Sequence, residues 1–181
     1  MPEIIIPTGH RIRGLSVKQP WAELLVRGLK TIELRTWWPW LQLPQWVAIH
    51  AGKTVAGDAP DRVFEMAFGL APNEVWQQCV LKQIGGRGVR VWIGRHGPVM
   101  QRTGGLIGLA RFVRRYDFGA GRLQFEDLAK EHLCPLHWWH KEMTGFEFDS
   151  PMRFELTPCR GQLGFFKLDA EMEARVREVA R

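Results

Sequence analysis

The chain has 181 residues, 45% of them hydrophobic and 24% charged, with a formal net charge of +6. This profile predicts a soluble globular protein of one domain, or one domain with insertions, large enough to bury a core without staples. It excludes collagen-like, coiled-coil and disordered chains, and no apolar run approaches the roughly 18 residues of a transmembrane helix, so no membrane contact is expected. Three cysteines (Cys79, Cys134, Cys159) offer no disulfide framework and fit a reducing, cytoplasmic setting.

Residues 1–11 carry two prolines and no periodicity and read as an arm. A first strand is predicted over Ile12–Val17, with Leu15 and Val17 on one face and Ser16 and Lys18 on the other. Pro20 suits the first turn of a helix, Trp21–Arg27 supplies two turns, and Gly28 supplies a left-handed stop. Lys30–Trp37 then alternates: Ile32 and Leu34 face one way, and Thr31, Glu33 and Arg35 the other, the pattern of a half-buried strand with a polar face. Trp37-Trp38-Pro39-Trp40 breaks that strand into an aromatic loop, and Trp46–Ala51 reads as a third strand with Val47 and Ile49 inward. Asp58 or Asp61 is expected to cap a short helix ending near Gly69. Pro72–Ile84 reads as a longer helix stopped by Gly85. Gly85–Gly105 is rich in glycine and arginine and reads as a hairpin or loop, with Val89–Ile93 as a possible strand. Residues 58–103 thus form a helical and Gly/Arg-rich insertion.

Leu106–Tyr116 predicts a strong strand with Ile107, Leu109 and Val113 on one face. Phe125–His132 predicts a short helix, Gly145–Phe148 and Arg153–Leu156 two short strands, and Gln162–Leu168 a last strand. Asp169 then caps an amphipathic helix over 169–181. Met172, Val176 and Val179 form its apolar stripe, and Glu171–Arg175 and Glu173–Arg177 are supporting pairs. About six strands with short helices and no regular βαβ alternation predict an α+β fold, a small curved sheet or barrel with a C-terminal helix.

The charge is unevenly spread. Nine basic residues fall between Lys82 and Arg122 with Asp117 as the only acid, so this segment carries +8 and the rest of the chain −2. One basic segment on a nearly neutral body points to a polyanion partner. Eighteen of the 25 cations are arginines, whose planar forks suit phosphate and base edges. Nine tryptophans accompany a single tyrosine.

Two blocks stand out. Leu15-Ser16-Val17-Lys18-Gln19-Pro20-Trp21-Ala22 is followed by Gly28-Leu29-Lys30-Thr31-Ile32-Glu33-Leu34-Arg35-Thr36-Trp37. Together they resemble the ASCH domain family, with its strand, Q-P-[WY] turn, short helix and G-x-K-[TD]-[IV]-E-x-R run. Val47–Lys53, Gly104–Gly108 and Pro158–Phe166 are similar to further blocks of that family, so the resemblance spans roughly residues 12–168, in the expected order. It implies a PUA-like β-barrel, a class associated with RNA binding. ASCH members include proposed coregulator modules, ribonucleases and modified-cytidine amidohydrolases.

Lys30, Glu33 and Arg35 are the principal site candidates. Glu33 and Arg35 project to one side of a strand ~7 Å apart, and Lys30 can join them from the helix stop. Two cations around a carboxylate can hold a phosphate and accept from a base amino group; the competing reading is a structural ion-pair cluster. Ser16, Lys18 and Gln19 end the first strand, and the Gln19 amide is expected to line the same cleft. Trp37 can stack on a base, whereas Trp21 reads as core, and the Trp37–Trp40 loop holds too many indoles to bury them all. His50 and Lys53 close the third strand as candidates for phosphate contact or proton transfer. The resemblance puts the turn of Arg160 and Gln162 near the same cleft.

His132, Cys134, His137 and His140 spell H-x-C-x-x-H-x-x-H, but the spacing matches no closed zinc module and Pro135 interrupts it, so no metal and no cofactor are expected. The amidohydrolase-like pattern Lys-Thr-x-Thr-x-Arg has its second threonine replaced here by Glu33, which argues against acyl-enzyme chemistry at that position. The leading expectation is a module that binds RNA or a nucleotide, with DNA also open, in a basic, tryptophan-edged cleft while segment 82–122 tracks the polyanion. Two alternatives stand beside it. One is a metal-independent hydrolase on RNA or a modified nucleoside, with Lys30 and Glu33 as catalytic groups. The other is a protein-interaction domain using the Trp37–Trp40 loop.

Overall fold

A computed structural model describes residue 4 and residues 6–84, 87–92, 97–118 and 143–180. Within them the chain runs β1 (Arg13–Gln19), α1 (Trp21–Val26), β2 (Ile32–Arg35), β3 (Gln45–Val55), α2 (Asp61–Phe68), α3 (Pro72–Gln77), β4 (Cys79–Ile84), β5 (Arg87–Trp92), α4 (Pro98–Gln101), β6 (Gly105–Asp117), β7 (Thr144–Pro158), β8 (Phe165–Lys167) and α5 (Ala170–Val179). Six strands form one mixed sheet in the order β2-β7-β6-β3-β1-β8, and β4 and β5 form a separate hairpin. Within the large sheet β1 and β3 run parallel, while the other neighbours are antiparallel.

β3 sits near the middle and is buried on both faces. Val47, Ile49 and Ala51 join a core with Leu15, Val17, Ile107, Phe112, Phe146 and the inner face of α1. Trp46 and Ala48 join a second core with Leu106, Leu109, Phe154 and Val176 of α5. Ile4 and Ile6 of the arm also pack on this second core. Each fully buried Leu, Ile or Phe contributes about 1.5–3 kcal/mol by leaving water, so the two cores together hold the sheet in place.

The α+β class is as expected, but the sheet is open. Its edges are β2 and β8, and among the described residues no backbone ladder joins them. Side chains bring the edges together instead: the ring of Trp37 meets Phe165 edge-on at 5.5 Å. β8 pairs with β1 only over Arg13–Leu15. The next carbonyl, that of Ser16, accepts from Arg35 Nη2 at 2.7 Å, so a guanidinium takes the place the strand leaves vacant.

Several elements depart from the sequence reading. Pro72–Ile84 is helical only to Gln77 and then becomes β4, which pairs from Cys79↔Trp92 to Ile84↔Arg87. Asp61 opens α2 without capping it by its side chain; Pro60 precedes the helix and Gly69 ends it. The two short strands expected over Gly145–Leu156 are one strand, β7, which passes through Ser150 at φ +45° and gains one extra residue against β6. The last strand is reduced to Phe165–Lys167. Ile107 and Leu109 enter opposite cores, because the pairing of β6 with both neighbours slips between Leu106 and Gly108. Asp169 caps α5 as expected, its Oδ1 accepting from the Met172 N–H at 2.7 Å, and Glu173 pairs with Arg177. The stripe of α5 is narrower than expected, since Val176 is buried and Val179 exposed. The expected helix at Phe125–His132 lies outside the described residues.

Candidate functional site

Strand alternation puts Glu33 and Arg35 on one side of β2, and Lys30, just before the strand, joins them. Lys30 Nζ donates to Glu33 Oε2 at 2.5 Å and to the Ile32 carbonyl at 2.5 Å, and Arg35 Nη2 lies 3.1 Å from Glu33 Oε1. They converge on one another rather than on open space: Lys30 is only 4% exposed and Glu33 8%. Burial pushes the Glu33 carboxyl upward, but the charges of Lys30 and Arg35 and the Lys30 hydrogen bond outweigh it and hold its pKa below the usual carboxylate value. Arg35, half-buried, passes this cluster on to β1 through the Ser16 carbonyl.

On the far side of Ser16 lies an open cleft of about 1080 Å³. Ser16 of β1, His50, Gly52 and Lys53 of β3, Gly104, and the turn Cys159–Leu163 line it. Five sequence-selected residues therefore meet here: Ser16, His50, Lys53, Arg160 and Gln162. Lys53 and Arg160 are exposed, and among the described residues no carboxylate lines the cleft. Lys53 lays its methylenes beside Gly104, where a Cβ would fall 3.4 Å from Cε.

His50 is held from both sides. Its Nε2 lies 3.2 Å from the Cys159 carbonyl and its Nδ1 3.3 Å from Ser16 Oγ. Burial lowers its pKa from the ordinary 6.5, partly offset by its backbone hydrogen bonds, which favours the neutral ring. Gly161 rests against this pair; a Cβ there would sit 2.4 Å from His50 Cε1 and 2.5 Å from Ser16 Oγ.

The remaining candidates are elsewhere. Gln19 does not line the cleft. It is fully buried, its Oε1 accepting from the Glu23 N–H in the first turn of α1 at 3.1 Å and its Nε2 donating to the Arg102 carbonyl just after α4 at 2.8 Å, so both ends of the amide are used inside the protein. Lys18 is exposed outside the cleft lining. Trp37 packs into the first core against Phe146 and Phe165 and forms no edge of the cleft. The aromatic loop does expose indoles: Trp40 is 89% exposed, and Arg115 stacks on Trp38 while donating to the Pro39 carbonyl.

The basic segment is divided among several elements. Arg102 is buried and bonds to Glu23 and to the carbonyls of Phe154 and Ile107, and Arg111 pairs with Asp149, so neither guanidinium is free for a polyanion. Lys82 and Arg114 are exposed. The side chains of Arg87, Arg90, Arg95 and Arg122 lie outside the described residues, as do His132, Cys134, His137 and His140. Among the described residues no group of three or more His, Cys, Asp or Glu could hold a metal ion, and no helix is long and apolar enough to cross a membrane. Sequence reasoning missed Gly161 and Cys159 as cleft residues, although both lie within the quoted block Pro158–Phe166; their role depends on a backbone approach that residue type alone does not announce. It also missed Glu23, which gathers Arg27 at the end of its own helix, Arg102 just after α4 and Arg153 of β7.

The sequence profile of the ASCH domain matches residues 15–158, from the first strand to the end of β7. The chain belongs to the ASCH domain family. Among solved structures, the ASCH protein from Zymomonas mobilis has a TM-score of 0.55 at 13% identity, covering 93% of this chain and 94% of its own. Two single-residue variants of that bacterial protein match with TM-scores of 0.48 and 0.49 at 12% and 13% identity; each covers 94% of this chain, and 99% and 96% of its own. At 13% identity the likeness to the Zymomonas mobilis protein concerns the fold alone. No curated protein matches the chain.

Proposed function

We propose that this ASCH domain is a cytoplasmic module that binds RNA or a nucleotide in the cleft at the end of β1. Lys53 and Arg160 take the phosphate, and Ser16 and Gln162 contribute hydrogen bonds. The observation that carries this reading is the cleft itself: two unopposed cations and three polar side chains arrive from three separated segments with no acid among the lining residues. Fixed positive charge in a concave, water-accessible setting concentrates anions. Lys30, Glu33 and Arg35 act behind the wall. Their desolvated ion cluster holds β2 and, through the Ser16 carbonyl, the strand that carries the cleft's serine. Catalysis by Lys30 and Glu33 would require taking that cluster apart, so binding is favoured over a hydrolase built on them.

The test is a titration of fluorescently labelled single-stranded RNA followed by anisotropy at several salt concentrations. Affinity should fall with salt at a log–log slope of about 0.7 per neutralised phosphate. Lys53→Ala and Arg160→Ala should each weaken binding and flatten that slope. Absence of binding at low salt overturns the proposal. A partner protein that still binds when RNA saturates the cleft would favour interaction through the Trp37–Trp40 loop.

A further inference from the structure

Ser16 and His50 are directly opposed in the parallel register of β1 and β3, two inner strands of the sheet. The polarity of their contacts follows from elementary chemistry. The Cys159 carbonyl can only accept, so His50 Nε2 carries the proton. Nδ1 is then left as the acceptor, 3.3 Å from a hydroxyl that can donate to it. An imidazole fixed at one nitrogen by a carbonyl, with its other nitrogen on a serine hydroxyl, is the arrangement of an activated nucleophile. His50 is only 4% exposed in the cleft wall, and Ser16, half-buried, lines the cleft beside it and two cations. Gly161 leaves room for the pair where any side chain would strike both members.

We infer that Ser16 and His50 form a nucleophile–base pair that accepts an acyl group from an ester whose carrier bears a phosphate, seated by Lys53 and Arg160. Ser16 Oγ bonds to the acyl carbon as its proton passes to His50 Nδ1. The bond from that carbon to the leaving oxygen then breaks, and the leaving oxygen takes the proton from the imidazolium. A water molecule repeats the sequence with the same base, releasing the carboxylic acid and restoring Ser16. Burial favours the neutral ring, the form able to receive the proton. The inference rests on the cleft being the ligand site.

The test uses the full chain and 4-nitrophenyl acetate. Expected are a burst of one equivalent of 4-nitrophenolate, an acetyl group mapped by peptide mass spectrometry to Ser16, and slowing of the burst by inorganic phosphate. Ser16→Ala should abolish the burst and His50→Gln should slow it by roughly 10²–10⁴-fold. Ser16→Cys should retain acylation, which separates loss of the nucleophile from loss of the fold. An acetyl group found on lysines alone, a burst unchanged in Ser16→Ala, or indifference to phosphate overturns the inference. Wild-type protein that binds RNA but is not acetylated overturns the chemistry alone; protein that does neither overturns the cleft reading as well.

Discussion

Glu33 illustrates how much a single residue's neighbours decide. Alternation along β2 assigns its side, but the folded structure withdraws that side from water and closes it into an ion cluster with Lys30 and Arg35. Removing one member of such a cluster leaves a buried charge uncompensated. Glu33→Gln should therefore lower stability by about 3–5 kcal/mol, measured by urea unfolding. An unchanged midpoint would mean that the Lys30 ammonium is far better solvated than its 4% exposure indicates. Gly161 makes the complementary case. Alanine there drives a methyl group to 2.4 Å from the His50 ring, so Gly161→Ala should cost about 1–3 kcal/mol through overpacking and weaken anion binding by displacing Ser16 and His50. Isothermal titration with inorganic phosphate and a thermal melt read the two effects separately.

At the scale of elements, the errors of sequence reading have specific causes. Val75 and Cys79 are both buried and four residues apart, which continues a helical period across the boundary between α3 and β4. The Cys79 thiol even donates to the Val75 carbonyl as in a helix. Only pairing with β5, contributed by residues further along the chain, turns Cys79–Ile84 into a strand. In β7, Ser150-Pro151 reads as a break, yet the ladder with β6 resumes at Met152 after one extra residue. Ser150 holds φ +45°, a conformation costing a side-chain-bearing residue about 1–2 kcal/mol, of which glycine's greater backbone entropy returns part. Ser150→Gly should accordingly stabilise the protein by about 0.5–1 kcal/mol, seen as a rise in the chemical unfolding midpoint. By contrast, the α5 cap was legible from Asp169 alone, because capping depends on residues within one turn. Asp169→Ala should cost about 1 kcal/mol by the same assay.

For the molecule as a whole, acid stability should fall in two stages. His50 has its pKa lowered below 6.5 in the folded state, so as pH falls past 6.5 the unfolded chain takes up a proton that the native ring refuses, and stability is lost down to the folded pKa. Glu33, lowered below 4.5, contributes stability that is complete above 4.5 and disappears as pH falls through its folded value. Urea midpoints measured across pH should show both stages, and His50→Gln should remove the upper one. An identical upper slope in that variant would assign it to other groups.

What the sequence by itself determined is local or periodic: the α+β class, the Asp169 cap, the glycine stops at Gly28 and Gly69, which side of β2 carries Glu33 and Arg35, and the family motifs spread from Leu15 to Phe166. Such features depend on residues a few positions apart, where backbone geometry dictates the outcome. Tertiary structure alone decided that the sheet stays open, that Gln19 and Trp37 are interior, that Lys30 and Glu33 are sealed against one another, and that Ser16, His50, Lys53 and Arg160 share a cleft. Each depends on segments far apart in the chain meeting in space, where burial sets whether a charge is withdrawn from water or left facing it.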